Sequence, residues 1–103
     1  MRFRLDFHPL VPIDLAEASA WYGRQEPGIG VRLESEAKNV FRRLGDEAFL
    51  YTVRFLDIRR VNLPKFPYGV YYFVVGDAVV VLAMLHGARD SEEELSRRRK
   101  VYG

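Results

Sequence analysis

The stretch Arg59–Asp90, RRVNLPKFPYGVYYFVVGDAVVVLAMLHGARD, decides the fold. It reads as three strands in a meander. Arg60 to Leu63 enter a turn at Pro64-Lys65-Phe66-Pro67, and Tyr68 to Val75 make the middle strand. Gly76-Asp77 is a two-residue reversal of the kind that closes hairpins. Ala78 to Leu85 is a continuous apolar run of strand length, rich in valine, and so is expected to be covered on both faces. Polar residues return only at its exit, as His86, Arg89 and Asp90.

Upstream, Phe3, Leu5 and Phe7 alternate with Arg2, Arg4 and Asp6, the period of a strand with one buried face. A helix is expected from about Pro12 to Gln25, with proline in its first turn and Leu15, Ala18, Trp21 and Tyr22 on one face. Glu26-Pro27-Gly28-Ile29-Gly30 turns the chain. A second helix is expected from about Gly30 to Leu44, on the stripe Leu33, Ala37, Val40, Phe41 and Leu44, with Gly45 as its stop. The two helices form an antiparallel hairpin. Residues 46–57 read either as loop or as an extra strand. After Asp90 the chain changes character. Ser91 and Glu94 have capping-box spacing, and acids then bases follow the helix dipole. Leu95 and Val101 are the tail's clear apolar anchors, so residues 90–103 are expected to be weakly held, or held by a partner.

The expectation is one α+β domain over residues 1–103: an N-terminal strand, an antiparallel helix hairpin, a three-stranded antiparallel meander in one sheet, and a polar C-terminal tail or short helix. Periodicity does not set the strand order. With 103 residues, 49% apolar and 29% charged, the composition is that of a globular domain large enough to fold alone. The absence of cysteine excludes disulfides and thiolate chemistry and suits a cytoplasmic location. No apolar run is long enough to span a bilayer, so no membrane partner is expected. The net charge of +2 permits an anionic partner without requiring one.

Two histidines and no cysteine give no metal-ligand spacing, and neither a metal nor a cofactor is expected. Gly28-Ile29-Gly30 lies between helices and reads as a turn, not a phosphate loop. What remains is basic and aromatic: Arg54, Arg59, Arg60 and Lys65 before the middle strand, Tyr68, Tyr71 and Tyr72 on it, and His86 and Arg89 beyond the last. Such groups on a sheet suit nucleic-acid or protein contact. The competing reading is solvated strand edges over tyrosines in the core. His86 is a structural hydrogen-bonder or an acid–base group. Trp21 is either helix-to-sheet packing or an interface anchor.

The ordered run Arg59-Arg60-Val61-x-Leu63-x-x-Phe66-Pro67-Tyr68-x-Val70-x-Tyr72, then Gly76-Asp77, then His86-Gly87-x-Arg89-Asp90, resembles the RelE/ParE superfamily of bacterial toxins. Ala20-Trp21-Tyr22 with Pro27-Gly28-Ile29-Gly30 resembles the helix hairpin of its ParE, or plasmid stabilisation, branch. The resemblance implies a small cytoplasmic toxin of a type II toxin–antitoxin module, wrapped and neutralised by a cognate antitoxin protein. RelE-like members cut messenger RNA in the ribosome with basic groups and a tyrosine, whereas ParE-like members block DNA gyrase by a protein–protein contact. Arg89 matches the RelE arginine after the last strand. Gly69 stands where that pattern has an arginine, and Leu95 stands near its tyrosine. The expectation is therefore a ParE-like gyrase inhibitor that is not an enzyme. Its target- or antitoxin-contact residues are expected to be Trp21, Arg59, Arg60, Lys65, Tyr68, His86 and Arg89. The alternatives are a ribosome-dependent endoribonuclease using Arg89, Lys65 and Arg60, or a degenerate, non-toxic member of the family.

Overall fold

The fold comes from a computed structural model that describes residues 2–103. The elements are β1 (Arg4–Phe7), α1 (Val11–Gln25), α2 (Ile29–Glu47), β2 (Val53–Phe55), β3 (Ile58–Asn62), β4 (Tyr68–Val75), β5 (Ala78–His86) and α3 (Glu92–Lys100). All five strands join one sheet in the order β1-β5-β4-β3-β2. β2 to β5 run as an antiparallel meander, and β1 adds beside β5 in parallel. This is the expected α+β architecture, with a fourth meander strand drawn from the ambiguous segment. No helix among the described residues is long and apolar enough to cross a membrane.

The valine-rich run explains the layering. Every residue from Ala78 to Leu85 is buried, because helices cover both sides of β5. Val79, Val81 and Met84 face a core shared with Leu33, Ala37, Val40 and Leu44 of α2. Val80, Leu82, Ala83 and Leu85 face a second core with Phe73 and Leu95. The alternation skips at Leu82–Ala83, where β4 and β5 shift register opposite Tyr71 and Tyr72. One extra residue on β5 makes a bulge and sends two successive side chains to one face. On the other face, α1 and α2 approach closely at Gly30. A Cβ there would lie 2.4 Å from the carbonyl oxygen of Ser19.

Three local expectations change. Gly45 does not stop α2, which continues to Glu47. The Gly45 carbonyl accepts a 2.7 Å bond from the N–H of Phe3, just before β1. The capping box does not form: Ser91 makes no side-chain cap, and its hydroxyl donates to the Arg89 carbonyl. Glu94 is drawn away to Arg97 and Arg98, where charge-assisted bonds outcompete a neutral backbone donor. Phe7 is 42% exposed despite the alternation, with its ring edge-on to Phe41 of α2.

The tail has an anchor that a count of apolar residues leaves out. Leu95 is buried, and so is Arg98, whose guanidinium donates to both carboxylate oxygens of Asp14, at 2.6 and 3.0 Å. Arg98 also donates to Glu94 and to the Leu82 carbonyl, while Asp14 accepts from the Met84 N–H. The β1 ladder ends at Val81, so these side chains satisfy backbone groups of β5 just past that point. Arg99 adds a second tie, bidentate to Asp57 and 3.9 Å above the Phe73 ring. Val101, by contrast, is exposed.

His8 sits at this junction, buried, its Nδ1 accepting the Leu10 N–H. Burial, and then the nearby Arg98 charge, lower its pKa below 6.5, against the pull of Asp14 and Glu94. The unfolded chain therefore takes up this proton first as the pH falls. The stability that neutral His8 confers is complete above its unfolded pKa and is lost below it. Urea midpoints should drop as the pH falls through and below 6.5. His8→Asn, which keeps an acceptor for Leu10, should flatten that slope; an unchanged slope would exclude His8 as its source.

Candidate functional site

Three arginines meet on the α3 side of the sheet. Arg54 from β2, Arg60 from β3 and Arg89 from the β5–α3 connection line one shallow depression of about 220 Å³. Tyr71 and Leu95 also line it, and both are buried. Asp90 and Glu92 stand at its wall. Among the described residues, none of the three arginines forms a salt bridge.

Arg60 holds the centre. It pairs with Tyr71 in the β3–β4 register, and its guanidinium carbon lies 5.5 Å from that ring's centroid. Its Nε donates to Asn62 at 2.8 Å. The side chain runs over Gly69 and reaches Gly87. A Cβ at position 69 would stand 2.5 Å from Nε, and one at position 87 would stand 3.2 Å from Nη2. The missing side chain at Gly69 therefore makes room for an arginine from the neighbouring strand.

The other expected residues go elsewhere. Arg59, next to Arg60, points to the opposite face, donates to the Tyr51 carbonyl at 2.6 Å and lies against Phe49. Lys65 is beside α2, where its backbone N–H donates to Glu36, and it lines a separate hollow with Arg32 and Asn39. Trp21 is 49% exposed and stacks edge-on against Tyr22, which in turn meets Phe66 and Tyr68. Tyr68 meets the His86 ring at 5.3 Å. The hydroxyl of Tyr68 is harder to ionise than usual, chiefly because of burial. Tyr68, His86 and Arg60 line a second depression of about 430 Å³, so Arg60 alone borders both. His86 Nδ1 accepts the Ala88 N–H, a turn-forming bond. Tyr102 does not enter either depression; it packs on Phe73 and His8.

The arrangement is a cationic surface that can bind an anion. No three His, Asp or Glu side chains among the described residues are grouped to hold a metal ion. Arg54 completes the cluster from a short edge strand that lies outside every quoted motif. Its only signal in the sequence was its basic character.

No protein-family model matches the chain, and no curated protein matches it. Among solved structures, it is similar to a chain of the chromosomal ParDE TA system from P. aeruginosa. The TM-score is 0.75 at 15% identity, over 82% of this chain and 96% of that one. The two chains share one fold. That likeness agrees with the RelE/ParE resemblance drawn from the meander, and it reaches across almost the whole of the ParDE chain. At 15% identity, what is common is the backbone architecture and not a set of matched side chains.

Proposed function

We propose that residues 1–103 are a ParE-like toxin of a type II toxin–antitoxin pair, acting in the cytoplasm by binding DNA gyrase and neutralised by a cognate antitoxin. The observation that carries this reading is the fold shared with the ParDE chain over 96% of its length. The preference for binding over RNA cleavage rests on two positions. Gly69 has no side chain, and Leu95, near the place of the nuclease tyrosine, is buried in the core. Loss of one group that stabilises developing charge costs about 10²–10³ in rate, so loss of two leaves little catalysis.

One observation favours a second reading, a ribosome-dependent endoribonuclease. Arg60 lies over Gly69 and returns a cation to that patch, within the same depression as Arg89. Lys65 is outside it. Gyrase supercoiling and mRNA integrity in a translating extract, measured with one protein preparation, separate the two. The expected result is inhibited supercoiling with intact mRNA. Cleaved mRNA, restored by Arg89→Ala, with normal supercoiling would replace the gyrase reading by the nuclease one.

A further inference from the structure

We propose that the Arg54–Arg60–Arg89 depression is a carboxylate pocket for an acidic segment of a partner protein, with Arg60 seated at its centre by Gly69 and Gly87. The inference deepens the toxin reading by naming the chemistry through which the antitoxin is held at this face. Four features carry it. First, the charge is free and gathered: these three arginines have no carboxylate partner among the described residues, as is also true of Arg24, Arg32, Arg42, Arg43 and Arg59, but these three line one depression. Neighbouring guanidinium groups that are not ion-paired favour a bound anion, and the fork of an arginine matches a carboxylate in two parallel bonds.

Second, Arg60 is pre-positioned. The two glycines leave a slot that its side chain fills, and Asn62 takes its Nε–H. The terminal Nη groups remain for a ligand, so less ordering is lost on binding. Third, the central aromatic face of the depression is taken: Tyr71 is buried with the Arg60 guanidinium against its ring, which leaves the half-buried Phe55 as the other aromatic side chain of the lining. Phe55 and Leu95 instead give the pocket apolar borders suited to the side chains that flank an acidic residue. Fourth, Asp90 and Glu92 stand at the wall and repel a continuous phosphate backbone more than a single carboxylate spaced by apolar neighbours.

The test uses the full chain and two fluorescein-labelled probes read by anisotropy. One is a short peptide of alternating leucine and glutamate, the other a single-stranded oligoribonucleotide. The peptide should bind, and Arg60→Gln and Arg89→Gln should each weaken it about tenfold or more. Gly69→Ala is the decisive variant, because it leaves net charge unchanged. The three atoms nearest its new Cβ all belong to the Arg60 side chain, which must move aside. It should weaken peptide binding while thermal unfolding stays at the parent value. Arg43→Gln, a charge loss on α2 outside the depression, should leave binding unchanged. Unaltered binding in Gly69→Ala, or an Arg43→Gln loss equal to that of Arg60→Gln, would reduce the effect to general charge and overturn the pocket. Tighter binding of the oligoribonucleotide, lost in Arg60→Gln, would assign the depression to RNA instead. Each result is independent of the gyrase assay, so either proposal fails without the other.

Discussion

Arg98→Ala should lower the unfolding free energy by about 3–5 kcal/mol, the usual cost of stranding a buried charge. The Arg98 and Asp14 side chains are 6% and 9% exposed, so solvent screens their pair little. Burial works against the charged guanidinium, but the hydrogen bonds to Asp14 and Glu94 outweigh it and raise the Arg98 pKa. Removing Arg98 takes the cationic donor from the buried Asp14 carboxylate, which keeps the Met84 N–H, and from Glu94, which keeps Arg97, and it removes the donor to the Leu82 carbonyl. Glu94 then also loses the hydrogen bond that most depresses its pKa. Urea unfolding monitored by circular dichroism measures the loss. The paired change Arg98→Met with Asp14→Leu should recover much of it, because an apolar pair carries no stranded charge. A single-variant loss below about 1 kcal/mol would place this pair with exposed ion pairs.

Tyr72→Ala should cost about as much, roughly 3–5 kcal/mol, for the removal of a large side chain with no exposure. Its hydroxyl donates to the Ala48 carbonyl at 2.7 Å and so pins the end of α2 to the sheet. Tyr72→Phe isolates that bond and should cost about 1–2 kcal/mol, the price of an unsatisfied buried carbonyl. Burial pushes the Tyr72 pKa up to about 12, from an ordinary 10.0. The folded state therefore keeps this proton after the unfolded chain has lost it. The stability it confers is complete below the unfolded pKa and declines as pH rises toward 12. Across that window the decline is roughly 2–3 kcal/mol. Tyr72→Phe should remove much of this alkaline slope and leave the share of Tyr51, Tyr68 and Tyr102, whose phenols burial also raises; an unchanged slope would exclude Tyr72 as its source.

Legibility in the sequence followed the range of the interaction. The Ala78–Leu85 run, the Gly76-Asp77 reversal and the α2 stripe each state their own geometry, and each appears where expected. β2 did not declare itself, because three residues with two exposed carry no period. The position of β1 beside β5 depends on a partner more than seventy residues away, about which the alternation of β1 says nothing. Arg98 looked like one more charge on a polar helix, since its partner Asp14 lies 84 positions upstream. At the candidate site, Arg60 and Arg89 were singled out and do converge. Arg59 does not join them, because successive residues of a strand face opposite ways. Lys65 is carried off by the turn toward α2.

The parallel seat of β1 beside β5 bears on synthesis. On the ribosome, a chain that has emerged only as far as β4 has no strand to receive its first one, and Asp14 waits for an arginine still to be translated. Such distant pairings delay the closing of the sheet. The arginine cluster is likewise incomplete until Arg89 leaves the exit tunnel, so the cationic face assembles only late in translation.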